Sequence, residues 1–420
     1  MNAYAGAQSA QGGEALSQHY FSVRARSMAL CEPLSDEDCC AQSMADASPV
    51  KWHLAHTTWF FETFILERFE RDFQPFNAQF RMLFNSYYNG VGARHPRPQR
   101  GLLTRPSLPE VLAYRRNVDA RMLALLLAPD VAQDMLPLVE LGLHHEQQHQ
   151  ELMLTDVKHL LAQNPLLPAY ASQAAAEPGQ TLPLDWLAYE AGIVEIGHVG
   201  SGFCFDNELP RHRQFVEPFQ LASRLLSNGE YLAFVSAGGY ANPALWLSEG
   251  WDWVQANRIT QPLYWHAPGA AQGDWQEFTL HGLRPLELHA PVSHLSLFEA
   301  DACARWAGAR LPTEAEWEVA AGGRHAPTVE TMHPQAAYQE GLAQMFGACW
   351  QWTSSSYAPY PGYAPAAGAL GEYNGKFMLN QYVLRGSSCV TPGGHARATY
   401  RNFFPASARW QFSGIRLARS

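Results

Sequence analysis

The sequence HHEQQHQE, residues 144–151, lies inside a longer segment, Met135–Leu161, whose apolar residues recur at three- and four-residue spacing. This spacing predicts an amphipathic α-helix. Residues i and i+4 share one face of a helix, so His145 and His149 can present two imidazoles to a single metal ion. Pairs of this kind also occur on solvated helix faces, so the spacing alone leaves the role of the pair open.

Three segments upstream show the same helical spacing: Gln18–Leu30, Pro49–Arg71 and Leu108–Leu127. Four helices of this length predict an up-down bundle, which we place at residues 13–163. The long connection between the second and third helices, residues 73–105, is rich in Asn, Gly, Pro, Tyr and Arg. Connections of this length inside a compact domain are usually functional, so we expect site residues there.

The second half of the chain has a different sequence pattern, with short strand-like segments instead of long helical ones. Residues 164–180 are predicted to be a linker, and residues 181–420 to form an irregular α+β domain with many Gly, Pro and Trp turns. The predicted strands are Ile193–Ile196, Arg213–Phe215, Tyr382–Arg385 and Gly414–Ala418. Only two helices are clear there, Asn228–Ala237 and Leu297–Ala307.

The composition excludes several classes of function. The 420 residues carry a formal charge of −10, and lysine occurs only at positions 51, 158 and 376, so no basic field exists for nucleic acid or an anionic membrane. No apolar run is long enough to span a bilayer, and the polar N-terminus lacks the apolar region of a signal peptide. Seven cysteines without a C-x-x-C pair suit reduced thiols. We therefore expect a cytoplasmic protein.

A second source of metal ligands is the segment WHLAHTTWFFE, residues 52–62, on the predicted second helix. His53 and His56 are three residues apart, so we expect one of them to be a ligand and the other not, and spacing does not say which. Together with His145 and His149 this gives three neutral imidazoles and open coordination positions, which suits catalysis. The ligand type allows zinc, iron, nickel or copper.

The order of the motifs along the chain resembles that of a known family, the ergothioneine-biosynthesis sulfoxide synthases (EgtB). The motifs are SPVKWHLAH (48–56), HEQQHQE (145–151), LPTEAEW (311–317), VLRGSSC (383–389), YRNF (400–403) and GIRLAR (414–419). The resemblance spans nearly the whole chain. It implies an N-terminal DinB-like four-helix bundle and a C-terminal α+β domain like the formylglycine-generating enzyme, of C-type-lectin-like topology.

The resemblance also implies a reaction. A mononuclear non-haem Fe(II) enzyme would use O2 to join a chalcogen to C2 of the imidazole of hercynine, Nα-trimethylhistidine. Its three-histidine site carries over onto His56, His145 and His149, with His53 as a neighbour. Hercynine binding is similarly implied for Gln148, Asn402 and Phe403. An aromatic face suits a trimethylammonium group, which cannot donate a hydrogen bond.

The long connection supplies further candidates. Tyr87 and Tyr88 in NSYYN, residues 85–89, resemble a tyrosine pair that some family members place in the active site. A phenol with a pKa near about 10 is protonated at neutral pH and can donate a proton. Arg94, Arg97 and Arg100 follow, and one of them could hold a carboxylate of cysteine or γ-glutamylcysteine. Arginines on a solvated loop are the alternative for each.

Other readings stay open. The selenoneine synthases (SenA) are similar over the same two domains and join hercynine to a selenosugar, and the motifs do not separate the two donors. The residues also allow a zinc-dependent DinB-type thiol transferase or hydrolase, or an inactive ligand-binding module. Two features need a structural account. The family's Trp-Glu-Trp reads Trp350-Gln351-Trp352 here, and Cys389 has no second cysteine at suitable spacing and is expected to be a packed thiol.

Overall fold

The computed structural model describes residues 2–172, 182–269, 273–324, 326, 330–372 and 374–420; for residues 2–12, 369 and 372 it describes only the backbone. The chain divides into two compact units, Met1–Gln163 with Ala367–Glu372, and Asn164–Ala366 with Tyr373–Ser420. Residues 173–180 of the predicted linker, 164–180, lie outside the described residues. Within the described ranges no helix is long and apolar enough to cross a membrane.

The first unit is helical. Its α-helices are α1 (Asn2–Ala29), α2 (Asp36–Cys40), α3 (Val50–Phe61), α4 (Glu67–Phe69), α5 (Phe80–Leu83), α6 (Leu108–Leu126) and α7 (Leu136–Ala162). Each of the four predicted helices is present, and the second is interrupted: a π-helical turn, Glu62–Leu66, separates α3 from α4. Ser107 caps α6, because its hydroxyl accepts the Glu110 N–H while the Glu110 carboxylate accepts the Ser107 N–H.

Close packing of α7 against α3 depends on Gly142. A Cβ added at Gly142 would lie 2.7 Å from the ring of Phe61 and 3.0 Å from that of Phe60. Glycine inside a helix costs about 0.5–1 kcal/mol relative to alanine, so its place here is explained by the approach it permits. This approach brings the next turn of α7, which carries His145, close to α3.

A buried ionic cluster joins α7 to α1 and α6. Glu146 is fully buried and forms ion pairs with Arg24 and with Arg115. Its Oε1 also accepts the hydroxyl of Ser27 at 2.6 Å, and Gln150 donates to the carbonyl of Val23 at 2.7 Å. Burial would raise the pKa of Glu146, but the two arginines outweigh burial and lower that pKa to about 2. The charges on this face of α7 are therefore fully paired inside the protein.

The second unit is an α+β domain, as the sequence predicts. Its helices are α8 (Asn228–Ser236), α9 (Ser248–Asn257), α10 (Leu297–Trp306) and α11 (Glu314–Ala321). Its strands are β1 (Trp186–Tyr189), β2 (Gly192–Ile196), β3 (His212–Val216), β4 (Phe219–Ala222), β5 (Trp265–His266), β6 (Gln276–Thr279), β7 (Gly282–Pro285), β8 (Trp350–Ser356), β9 (Tyr382–Gly386), β10 (Asn402–Phe404), β11 (Ser413–Gly414) and β12 (Ala418–Arg419). They form sheets in the orders β10-β9-β8-β11, β1-β4-β12, β5-β6-β7 and β2-β3.

Two sequence expectations for this unit were incomplete or wrong. The helices α9 and α11 were missed; α11 begins inside LPTEAEW, where Thr313 and Glu316 form a capping box. The predicted strand Gly414–Ala418 is wrong. Only its ends pair, in β11 and β12, and the buried residues between them connect two different sheets.

Gln351, in the middle of the Trp350-Gln351-Trp352 sequence, is the centre of a buried hydrogen-bond cluster. Its Oε1 accepts the indole N–H of Trp317 and the Nε–H of Arg416, both at 2.7 Å. Its Nε2 donates to the carbonyl of Met345 at 2.9 Å. The amide thus fulfils both an acceptor and a donor role, which a glutamate could not. The seven cysteines, all in the described part of the chain, are free thiols, and Cys389 is buried.

Candidate metal centre

His56 on α3 and His145 and His149 on α7 form one cluster. One ring nitrogen from each lies within 4.8 Å of the other two. The ring centroids are 4.9 Å apart for His56 and His145, and 4.6 Å apart for His145 and His149. His56 and His145 are buried, and His149 is 9% exposed. The structure thus brings together the three residues that the resemblance implies as metal ligands.

Aromatic side chains hold His56 in place. Its ring stacks between Trp52, at 4.6 Å, and Trp59, at 5.4 Å. Its Nδ1–H donates to the carbonyl of Phe84 at 2.6 Å, so in the neutral ring Nε2 carries the lone pair. That Nε2 is buried and accepts no hydrogen bond from any described residue. A buried acceptor without a partner is costly in a native fold, and a metal ion would satisfy it.

Electrostatics keep the three rings neutral. Burial lowers the pKa of each histidine, and the pKa of His145 falls to about 3. For His56 and His149 the neighbouring imidazoles lower the pKa further, because a second positive charge in the cluster is unfavourable. Neutral imidazole is the form that binds a divalent metal ion, so the donor set fits any of the metals that the ligand type allows: zinc, iron, nickel or copper.

His53 lies beside this cluster. Its Nδ1 is 2.7 Å from Nδ1 of His149, and its Nε2 is 3.1 Å from Oδ2 of Asp156. Both ring nitrogens of His53 are therefore already in hydrogen bonds, which explains why His56, and not His53, completes the three-histidine cluster. Sequence reasoning missed Asp156. The available signal was its position seven residues after His149, on the same face of α7.

The tyrosine pair lies in the connection next to the cluster. Tyr88 is buried against Trp59, with ring centroids 5.6 Å apart, and Trp59 stacks on His56. Tyr87 is half-buried and stacks on Tyr88 at 4.6 Å. Asn85 fixes this turn, because its Oδ1 accepts the Tyr88 N–H at 3.0 Å and its Nδ2 donates to the Tyr88 carbonyl. Through Tyr88 the pair therefore packs on Trp59, the tryptophan that stacks on His56.

The three candidate arginines have different surroundings. Arg94 and Arg97 are exposed, and Arg97 donates to the carbonyl of Asp46. Arg100 is buried, with its guanidinium carbon 3.3 Å from the ring centroid of Trp52. It donates to the hydroxyls of Ser48 and Ser86, at 2.8 and 3.2 Å, and among the described residues it forms no ion pair with an acid. Burial and then Arg97 lower the pKa of Arg100 to about 8, although the carboxylate of Asp156 opposes this shift.

The candidate hercynine residues are in both units. Gln148 is half-buried on α7, between His145 and His149. Asn402 and Phe403 begin β10 in the second unit, where the Asn402 side chain accepts the Phe403 N–H at 2.9 Å. Phe403 stacks on Tyr357 with ring centroids 4.1 Å apart, an aromatic partner that the sequence did not single out. Their role in binding hercynine remains a prediction.

Comparison with known proteins identifies the two domains and the family of the chain. Residues 20–153 match the DinB superfamily, and residues 173–332 and 325–420 match the sulfatase-modifying factor enzyme 1-like domain. The hercynine oxygenases of Mycobacterium tuberculosis and Mycolicibacterium smegmatis are each 29% identical to the chain, over 96% of it and 98% of their own length. That of Mycolicibacterium thermoresistibile is 31% identical over 65% of this chain and 67% of its own length. With the three-histidine cluster in its helical unit, the chain belongs to the hercynine oxygenase (EgtB) family.

Proposed function

We propose that the protein is an Fe(II)- and O2-dependent enzyme that forms a C–S or C–Se bond at C2 of the imidazole of hercynine. The observation that carries this proposal is the cluster of His56, His145 and His149, buried and neutral, in a chain that aligns with hercynine oxygenases over 96% of its length. Fe(II), when bound, would supply the redox chemistry with O2. Three histidines leave coordination positions for substrates.

The tyrosine pair supports a proton-donating role. Tyr88 packs on the same tryptophan as His56, and its hydroxyl is 3.5 Å from that of Tyr87. A phenol is protonated at neutral pH, so either residue can deliver a proton to an oxygen atom that becomes basic during the reaction. The hydrogen bonds from the Asn85 side chain to the Tyr88 backbone fix the turn that carries both tyrosines.

The burial of Arg100 supports an anionic donor substrate. A buried guanidinium without an acidic partner is unfavourable, and a carboxylate is the group that its planar fork binds best. Arg100 also packs on Trp52, which stacks on His56, so this cation lies on the cluster side of the connection. Cysteine and γ-glutamylcysteine carry such carboxylates, and a neutral selenosugar does not. We therefore place the thiol donors ahead of the selenosugar.

Hercynine is proposed to contact Gln148, Asn402 and Phe403. The stacked pair of Phe403 and Tyr357 offers an aromatic face, which attracts a quaternary ammonium through the ring quadrupole. Replacing Phe403 with leucine should raise the KM for hercynine and leave the KM for the donor unchanged. An unchanged hercynine KM would remove Phe403 from the binding site.

The decisive experiment is anaerobic loading with Fe(II), followed by O2, hercynine and one donor at a time: cysteine, γ-glutamylcysteine or a selenosugar. Mass spectrometry identifies the adduct and an oxygen electrode its O2 consumption. A hercynyl sulfoxide from a thiol supports the proposal, and a selenium adduct with poor thiol turnover would assign the selenoneine branch. Turnover with Zn(II) alone, without O2 uptake, would replace the proposal with the thiol transferase reading.

Three variants test the residues. His145→Ala should abolish Fe(II) binding and product formation, and turnover by the metal-free variant would refute the site. Tyr88→Phe and Tyr87→Phe should lower product formation or divert it to oxidation of the donor, because the proton source is removed. Unchanged rates and products in both tyrosine variants would remove the connection from the mechanism.

A further inference from the structure

A chain of buried hydrogen bonds leads away from the metal cluster. Nδ1 of His149 contacts Nδ1 of His53 at 2.7 Å, and Nε2 of His53 contacts Oδ2 of Asp156 at 3.1 Å. The same oxygen accepts the backbone N–H of Ser48 at 2.8 Å, immediately before α3. His53, Asp156 and Ser48 are all buried, with at most 5% exposure, so water does not compete for these bonds.

The positions of the protons in this chain follow from the acceptors. Oδ2 of Asp156 already accepts a backbone N–H, so it also accepts from His53, whose Nε2 must carry the proton. In a neutral imidazole only one nitrogen is protonated, so Nδ1 of His53 is an acceptor. Its neighbour at 2.7 Å, Nδ1 of His149, must then be the donor. That leaves the lone pair of His149 on Nε2.

We propose that Asp156 and His53 form a positioning relay that fixes His149 as the Nδ1–H tautomer and directs the Nε2 lone pair to the metal. The proposal rests on the metal centre proposed above. Histidine ligands commonly donate their second N–H to a carboxylate or carbonyl, which orients the ring and raises its basicity. Here a second histidine stands between the ligand and the carboxylate, so α3 contributes both a ligand, His56, and the orienting group for a ligand on α7.

Two substitutions of His53 each remove one of its two hydrogen bonds and keep the other. Asparagine places an acceptor oxygen where Nδ1 was, so His53→Asn keeps the contact with His149 and loses the one with Asp156. Glutamine places a donor nitrogen near the position of Nε2, so His53→Gln keeps the contact with Asp156 and loses the acceptor for His149. His159→Gln is the matched control, because His159 lies on α7 with His149 and Asp156, is 9% exposed and bonds instead to the hydroxyl of Ser43 at 2.7 Å.

The first readout is Zn(II) affinity, measured by competition with a chelator of known affinity. His53→Gln should weaken binding by about 10- to 100-fold, the range typical for loss of a group that orients a ligand. His53→Asn should bind more tightly than His53→Gln, and His159→Gln like the wild type. A purely structural role through Asp156 predicts the reverse order of the two His53 variants. That reverse order, or equal affinity for all four proteins, would overturn the relay.

The second readout is the tautomer, from two-bond ¹⁵N–¹H correlation spectra of metal-free protein labelled with [¹⁵N]histidine. His149 should be protonated at Nδ1 in the wild type and in His53→Asn, and should lose this preference in His53→Gln. Wild-type His149 protonated at Nε2 would refute the relay. The spectrum is recorded without metal, so it tests the relay independently of the metal centre. Wild-type protein that binds neither Zn(II) nor Fe(II) would instead refute the proposed metal centre. Thermal unfolding of each variant confirms that it is folded.

Discussion

Two faces of α7 differ in how their buried polar groups are satisfied. Glu146 and Gln150 bond to arginines, a hydroxyl and a carbonyl of the neighbouring helices. Beside them, His145 and His149 join His56, whose Nε2 has no hydrogen-bond partner among the described residues. Buried polar groups in native proteins are nearly always paired, so the unpaired Nε2 of His56, beside two further buried imidazoles, indicates a ligand site. The first face holds the bundle together, and the second is built to bind something.

The buried arginines show the same contrast. Arg24 and Arg115 share the carboxylate of Glu146. Burial would lower the pKa of Arg24, but Glu146 and its other neighbours outweigh burial and raise that pKa. Arg100 has hydroxyl partners and the face of Trp52, and its pKa is lowered. Glu146 is thus a structural counter-ion, and we expect the counter-ion of Arg100 to arrive with a substrate.

The largest expected effect tests the two faces at adjacent positions. Glu146→Gln should reduce the free energy of unfolding by about 3–5 kcal/mol, because two buried arginines lose their shared charge. His145→Gln should cost less stability and abolish tight metal binding. Urea unfolding and metal titration of both variants check this contrast. Equal stability losses, or loss of metal binding only in Glu146→Gln, would break the comparison.

The next effect concerns Arg100, which forms no ion pair with an acid among the described residues. Arg100→Met should raise the KM for a carboxylate-bearing donor by about 10- to 100-fold, the equivalent of one lost charged hydrogen bond. The stability should change little, since no ion pair is lost. Arg97→Met, at an exposed position in the same connection, is the control and should leave the KM near that of the wild type. Equal KM values for the two variants would contradict a role of Arg100 in donor binding.

A smaller, pH-dependent effect is expected at a paired carboxylate in the second unit. Glu230 accepts two bonds from Arg224, both at 2.8 Å, and one from the Ser227 N–H. Burial would raise the pKa of Glu230, but these donors lower it overall. Because the folded pKa lies below the unfolded value of about 4.3, the pair stabilises the fold above that pH, and this stability is lost as pH falls through the folded pKa.

The measurement is urea unfolding of the wild type and Glu230→Gln at about pH 7 and in the acid range. The stability difference between the two proteins should be largest at neutral pH and shrink on acidification. A difference that is constant with pH would show that the Glu230 carboxylate has the same pKa in the folded and unfolded states.

The smallest expected effect is at Gln351. In Gln351→Glu the carboxylate would still accept from Trp317 and would gain a charge-assisted bond from Arg416, whose pKa burial lowers to about 9. It would lose the N–H donated to the Met345 carbonyl. These changes oppose each other, so we expect a shift of less than about 1 kcal/mol in unfolding free energy. A large gain in stability would show that the buried charge of Arg416, like that of Arg100, lacks a sufficient counter-charge in the wild type.

The sequence predicted most of the first unit because its signals are local. The apolar spacing of Met135–Leu161 and the capping pair Ser107 and Glu110 each act within a few residues, and both correspond to observed helices. The second unit was harder, because its short strands pair across long stretches of chain. The segment 414–418 looked like one strand and is instead divided between two sheets, which no local pattern could show.

The candidate site was predictable in part. The i, i+4 pair on α7 follows from helix geometry, whereas the choice between His53 and His56 depends on tertiary contacts. His53 is engaged on one side by Asp156, 103 residues away in sequence, and on the other by His149. The different surroundings of Arg100 and Arg97 likewise arise from the packing of the connection against Trp52 and Ser48. Composition and spacing carry no information about such contacts.

The π-helical turn Glu62–Leu66 has a consequence for the evolution of the family. A turn with i to i+5 hydrogen bonds holds one more residue than an α-helical turn, so everything after it is rotated by about 100°. His53 and His56 precede it and keep their register. Glu62, within the turn, accepts the Phe76 N–H at 2.8 Å and the Tyr114 hydroxyl at 2.6 Å. We therefore expect relatives to gain or lose a residue at this turn. Such a change would leave the histidines before it in place and alter the direction of the connection after it.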